Sequence, residues 1–107
     1  MITYEITATV QPHLLEAYER FMRERHIPDL MATHVFETAA FARSAAGRYR
    51  IWYQVRDAEV LDQYLTEHAP ELRAHFLAEF PDGVELSREV WTTVERWPDD
   101  GSARAAG

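Results

Sequence analysis

Ile2-Thr3-Tyr4-Glu5-Ile6-Thr7-Ala8-Thr9-Val10 alternates apolar and polar side chains without a break and is rich in β-branched residues. Successive side chains of a strand point to opposite faces, so this period of two predicts a strand with two chemically different sides. Ile2, Tyr4, Ile6, Ala8 and Val10 form an apolar side suited to helices, while Thr3, Glu5, Thr7 and Thr9 look away. Arg48-Tyr49-Arg50-Ile51-Trp52-Tyr53-Gln54-Val55-Arg56 repeats the pattern, with Tyr49, Ile51, Tyr53 and Val55 on one side and Arg50, Trp52 and Gln54 on the other. Two such strands call for a sheet clad with helices on one side only.

The segments between them supply the helices. Gln11-Pro12 opens the first, because proline costs nothing where a helix has no donor to lose. Leu14, Leu15, Tyr18, Phe21 and Met22 then recur at helical spacing. That helix runs into Arg25-His26-Ile27-Pro28-Asp29-Leu30-Met31-Ala32-Thr33, where Pro28 removes a hydrogen bond and predicts a kink or restart, with His26 at the bend. Phe36 to Arg43 reads as a second strand, joined through the turn Ser44-Ala45-Ala46-Gly47 to the strand from Arg48 as a hairpin. Asp57 is a good N-cap for a second helix striped with Val60, Leu61, Tyr64, Leu65 and His68. Pro70 interrupts it, Leu72, Phe76, Leu77 and Phe80 resume it, and Pro81-Asp82-Gly83 closes it. A last strand lies within Val84 to Trp97, where Val90, Thr92 and Val94 alternate with Glu89, Trp91, Thr93 and Glu95. The polar, Ala/Gly-rich tail divides the chain into a domain over 1–97 and a disordered stretch over 98–107.

The order strand, helix, strand, strand, helix, strand predicts an α+β, ferredoxin-like βαββαβ fold: a four-stranded antiparallel sheet with two helices on one face. Its other face then carries Glu5, Thr7, Phe41, Arg50, Trp52, Glu89 and Trp91, too aromatic for a bare surface. A second copy of the chain covering it makes a homodimer.

Composition bounds the function. The 107 residues suffice for one domain with a moderate core. A net charge of -7 argues against nucleic acid or an anionic membrane as the main partner. The absence of cysteine removes thiolate chemistry and disulfides, and the absence of lysine removes Schiff-base chemistry. No apolar run approaches the about 20 residues that span a bilayer, and no leader pattern opens the chain, so the expected compartment is the cytoplasm.

His26-Ile27-Pro28-Asp29-Leu30-Met31-Ala32-Thr33, together with Ala69-Pro70-Glu71-Leu72 leading to His75 and Phe80, resembles the family called domain of unknown function four-two-eight-six. The likeness covers roughly residues 1 to 97. It implies a ferredoxin-like fold of the dimeric α/β-barrel group, whose members include cofactor-free monooxygenases, isomerases and haem-binding proteins. The family brings no catalytic residues to transfer. In one place the chain departs from the expected pattern, with His34 following Ala32-Thr33 where glycine is expected.

Candidate chemistry rests on a few side chains. His26 and His68, each three or four residues from an apolar neighbour, suit a general acid or base, or a helix-end cap. His75 between Glu71 and Glu79 is either a metal-ligand row or a solvated charge pattern, and no metal site is assigned. Arg50 beside Trp52 suits a carboxylate or enolate with the indole against an aromatic ring, or is neutralised by Glu5 and Glu89. Trp91 and Phe41 line a cavity or fill an interface. No phosphate-binding glycine loop, nucleophile elbow or His-Glu-x-x-His run is present. The chain thus reads as a homodimer with a mostly apolar pocket in each sheet, binding an aromatic or polyketide-like molecule and acting on it without a cofactor. The alternatives are a non-catalytic dimeric interaction or regulatory module, and haem binding through His68 or His75.

Overall fold

A computed structural model describes residues 1–98. Strand β1 (Ile2–Val10) is followed by a 3-10 turn over Pro12–Leu14, helix α1 (Leu15–Phe21), a π-helical turn over Met22–His26 and helix α2 (Ile27–Met31). Strands β2 (Thr38–Arg43) and β3 (Arg48–Val55) form the hairpin, helices α3 (Ala58–Glu67) and α4 (Ala69–Glu79) follow, and β4 (Val84–Thr92) closes the domain. The sheet runs in the order β2-β3-β1-β4 with every pairing antiparallel. This is the ferredoxin-like α+β fold, with the two most clearly alternating strands at its centre. Of the expected tail, all but Pro98 lies outside the described residues.

The parity of the central strands holds throughout. Ile2, Tyr4, Ile6, Ala8 and Val10 of β1 and Tyr49, Ile51, Tyr53 and Val55 of β3 are all buried beneath the helices. There they meet Tyr18, Phe21, Met22, Leu61, Tyr64, Leu72, Phe76 and Phe80. Asp57 caps α3 as its sequence position suggests, its carboxylate accepting from the Val60 N–H at 2.9 Å. Gly47 adopts φ +86°, and a Cβ there would lie 2.8 Å from the Val10 carbonyl oxygen, so the hairpin turn needs glycine.

Pro28 does not break its helix; the turn before it widens. The Ile27 N–H reaches back to Met22 O, five residues away. In a regular helix the proline ring would strike the carbonyl four residues earlier, and the wider turn shifts that carbonyl aside. The helix ends where Thr33 Oγ1 donates to Leu30 O at 2.7 Å. His34 then takes φ +62°, the left-handed conformation that glycine adopts freely.

Phe41 departs from its expected place on the open face. It pairs with Ile51 across β2–β3 and therefore points toward the helices. Its ring lies 5.5 Å from Tyr49 and 6.1 Å from Tyr18. Ala39, Ala40 and Ala42 around it carry no polarity contrast to set a parity, so the register is fixed by the hairpin turn instead.

Candidate functional site

The two faces of the sheet hold different constellations. On the open face, Glu5 is directly opposite Trp52 on β3 and Glu89 on β4. Its carboxylate accepts from Arg50 Nε at 2.5 Å, Trp52 Nε1 at 2.9 Å and Trp91 Nε1 at 3.1 Å. The Arg50 guanidinium also lies 4.5 Å from the centre of the Trp52 ring. Glu5 is only 7% exposed. Burial alone would raise its pKa, but the three donors prevail and hold the carboxyl below its usual range. Of the two carboxylates expected to neutralise Arg50, Glu5 does so. Trp91 stays half exposed.

The other face carries a cavity of ≈ 340 Å³ between the helices and the β4 side of the sheet. Ile6, Val84 and Leu86 form its floor, and Tyr18, Met22, Phe76, Leu77 and Phe80 its walls. It exists because β4 is the outermost strand and the helices do not fully cover it. Three polar side chains join this lining: His26, Arg73 and Arg88. Tyr18 is fully buried, and its hydroxyl has no hydrogen-bond partner among the described residues.

His26 is delivered by the widened turn that Pro28 imposes. Its ring lies 5.5 Å from that of Phe76 and 5.8 Å from that of Phe21. Burial among these rings depresses its pKa to about 4, against a smaller upward pull from Asp29 and with help from Arg88 and His75. At neutral pH His26 is therefore an uncharged imidazole, able to accept a proton.

His68, the second expected acid/base group, is elsewhere. It occupies the break between α3 and α4, its ring 6.2 Å from Tyr64, and does not line the cavity. His75 is half exposed and lies 3.9 Å from Glu71. No group of three or more His, Asp or Glu side chains is gathered as a metal site would need among the described residues. A wider surface groove of ≈ 790 Å³ runs between α1 and the β2–β3 turn. Several of its charges already meet each other, since Glu19 accepts from both Arg43 and Tyr49 and Arg20 pairs with Glu16. The narrower, more apolar cavity is the better ligand site.

Arg73 and Arg88 were not among the residues picked out by sequence. Arg88 could have been, because it follows Val84 and Leu86 at a spacing of two and so puts a charge on an apolar strand face. Arg73, beside the core residue Leu72, gives no such signal.

The family model for a domain of unknown function, DUF4286, matches residues 1–94. The chain belongs to this family. No curated protein matches this DUF4286 chain. Among solved structures it is similar to a mutant of SnoaB, a cofactor-independent oxygenase from Streptomyces nogalater, with a TM-score of 0.71 and 16% identity over 92% of this chain and 97% of that one. An ethyl tert-butyl ether d (ethd) family protein from Bacillus halodurans gives a TM-score of 0.67 and 16% identity, covering 88% of this chain and 100% of that one. A de novo designed protein, Foldit4, aligns almost as well, at 0.62 and 14% over 86% of this chain and 97% of that one. A fold shared by an oxygenase and a designed protein identifies the scaffold and leaves the activity to the site. No helix among the described residues is long and apolar enough to cross a membrane.

Proposed function

We propose that this DUF4286 protein binds a planar, aromatic or polyketide-like small molecule in the cavity between helices and sheet, with His26 as proton acceptor. The observation that carries this is the neutral imidazole of His26 set into a ≈ 340 Å³ apolar cavity. An acidic C–H or O–H of the ligand would lose its proton to the imidazole, and the electron pair would stay behind as an enolate or phenolate. Monooxygenation, isomerisation and cyclisation without a cofactor can all begin with that step. An imidazole of pKa about 4 is a weak base, so the ligand must itself be acidic, as polyphenols and β-dicarbonyls are.

The test is a fluorescence titration with 2-naphthol. Saturable binding is expected, lost when Leu86→Trp fills the floor, and weakened several-fold in His26→Phe, which removes the acceptor. Binding that is unsaturable, or indifferent to Leu86→Trp, would refute the proposal.

The open face supports a second element, a homodimer closed over Trp52 and Trp91. Its support is the Glu5 cluster, in which Arg50 Nε and the two indole N–H groups share one carboxylate beside the exposed Trp91 ring, so another copy would meet an aromatic face whose most buried charge is already paired. Sedimentation of Trp91→Asp should show a monomer where the parent chain is a dimer. This face, paired on its own, also serves the non-catalytic module, which predicts dimerisation with no 2-naphthol binding.

A further inference from the structure

The cavity is electrostatically unbalanced. The chain as a whole carries a net charge of -7, yet the lining of this cavity holds two guanidinium groups and no carboxylate. Arg73 comes from α4 and Arg88 from β4, so they approach from the helix layer and the sheet layer. Neither is in an ion pair among the described residues. Arg73 is drawn inward, its guanidinium donating to the buried Tyr4 hydroxyl at 3.1 Å. Both cations lie close enough to the Tyr64 hydroxyl to pull its pKa down, against a larger upward push from burial and from Tyr4. Both arginines are exposed, whereas Tyr18, Phe76 and Phe80 of the same lining are buried, which puts the cations toward the mouth and the rings toward the inner end.

Two like charges at one opening repel, and nothing in the lining compensates them. On the open face, by contrast, Arg50 has Glu5. An incoming anion would supply what the cavity lacks, and a guanidinium pair suits the two oxygens of a carboxylate.

We infer that Arg73 and Arg88 form an anion subsite at the cavity mouth, which makes the ligand a planar aromatic carboxylate, seated rings inward with its charge between the two guanidiniums. This rests on the cavity being the ligand site and goes further by fixing the class of molecule. A seated carboxylate also acts on His26. The charged and titratable groups facing that imidazole are Asp29 from its own helix, Arg88 from β4 and His75 from α4. An anion on Arg88 offsets that cation and makes the imidazole a better base, so binding would prime the proton acceptor.

The experiment compares 2-naphthoate with its neutral isostere 2-naphthamide by calorimetry on the full chain. Naphthoate should bind at least about tenfold more tightly, as charge-assisted hydrogen bonds to a guanidinium allow. Arg73→Gln and Arg88→Gln should each erode that preference, and the double variant should erase it. Proton NMR should show the His26 pKa rising with naphthoate and staying put with naphthamide. Equal affinity for the two probes, or a preference that survives the double variant, overturns the anion subsite while the cavity stands. Failure of both probes to bind the parent chain overturns the cavity and the subsite together.

Discussion

Arg50 and Arg88 sit on the two sides of one sheet and differ in what surrounds them. Arg50 stacks on Trp52 and meets the Glu5 carboxylate, which two indole N–H groups also reach. Arg88 opens onto a cavity floored by Ile6 and Leu86, with a second cation in Arg73 and no carboxylate in the lining. A charge that already has its partner can be covered at less cost than an unpaired one, and an unpaired cation beside an apolar cavity is open to an anionic ligand. On this contrast rest the two proposals, self-association through the open face and a ligand on the helix side.

The largest expected contrast is in stability. Phe76 is buried and touches Tyr18, Phe21, His26 and Phe80, so Phe76→Ala should cost about 3–5 kcal/mol in denaturant unfolding. Trp91 is half exposed, and Trp91→Ala, measured at a concentration where the chain is monomeric, should cost about 1 kcal/mol or less. Equal costs would break the distinction between a core-bearing face and a covering face.

Next in size is the pH dependence set by His26. Folding lowers its pKa from 6.5 to about 4, so between those values the unfolded chain holds the extra proton. Its contribution to stability is complete above pH 6.5, shrinks as the pH falls toward 4 and changes no further below that. The whole loss amounts to about 3 kcal/mol at most. His26→Phe should flatten unfolding free energy across that window, and an unchanged slope would mean that the imidazole is not buried as described.

Glu5 gives the open-face counterpart. Its folded pKa lies below the ordinary 4.5, so its contribution is present above pH 4.5 and is lost as the pH falls through the folded value. Glu5→Gln should remove this acid limb while leaving the His26 window intact. Acid titration of both variants side by side separates the faces.

The smallest effect expected is at His34, whose φ of +62° burdens a side chain with a conformation that glycine takes freely. His34→Gly should leave both faces untouched and stabilise the fold by about 0.5–1 kcal/mol. A loss of stability would mean that the imidazole makes a compensating contact.

Much of this architecture is legible in the sequence because the signals are local. The alternations in β1 and β3, the Asp57 cap and the Gly47 turn each follow from a few neighbouring residues, and together they fix the ferredoxin-like order. Glu5, Arg50, Trp52 and Trp91 could be grouped from parity alone, since a sheet brings every second residue to one face. Phe41 could not be placed, because its alanine neighbours give no contrast and its parity depends on the distant turn. Pro28 announced an interruption but not its form, as kink, restart and widened turn all relieve the same clash. The cavity was illegible for a different reason. It is a gap left by incomplete cover over an edge strand, a property of how layers meet, and Arg73 joins its lining from α4.

Amide and imidazole chemical-shift mapping of the full chain titrated with 2-naphthoate tests the proposed ligand site most directly. Perturbations are expected to concentrate on His26, Arg73, Phe76, Leu86 and Arg88, with Glu5, Arg50, Trp52 and Trp91 unmoved. Shifts gathered instead on the Glu5 cluster, with the cavity residues silent, would contradict it.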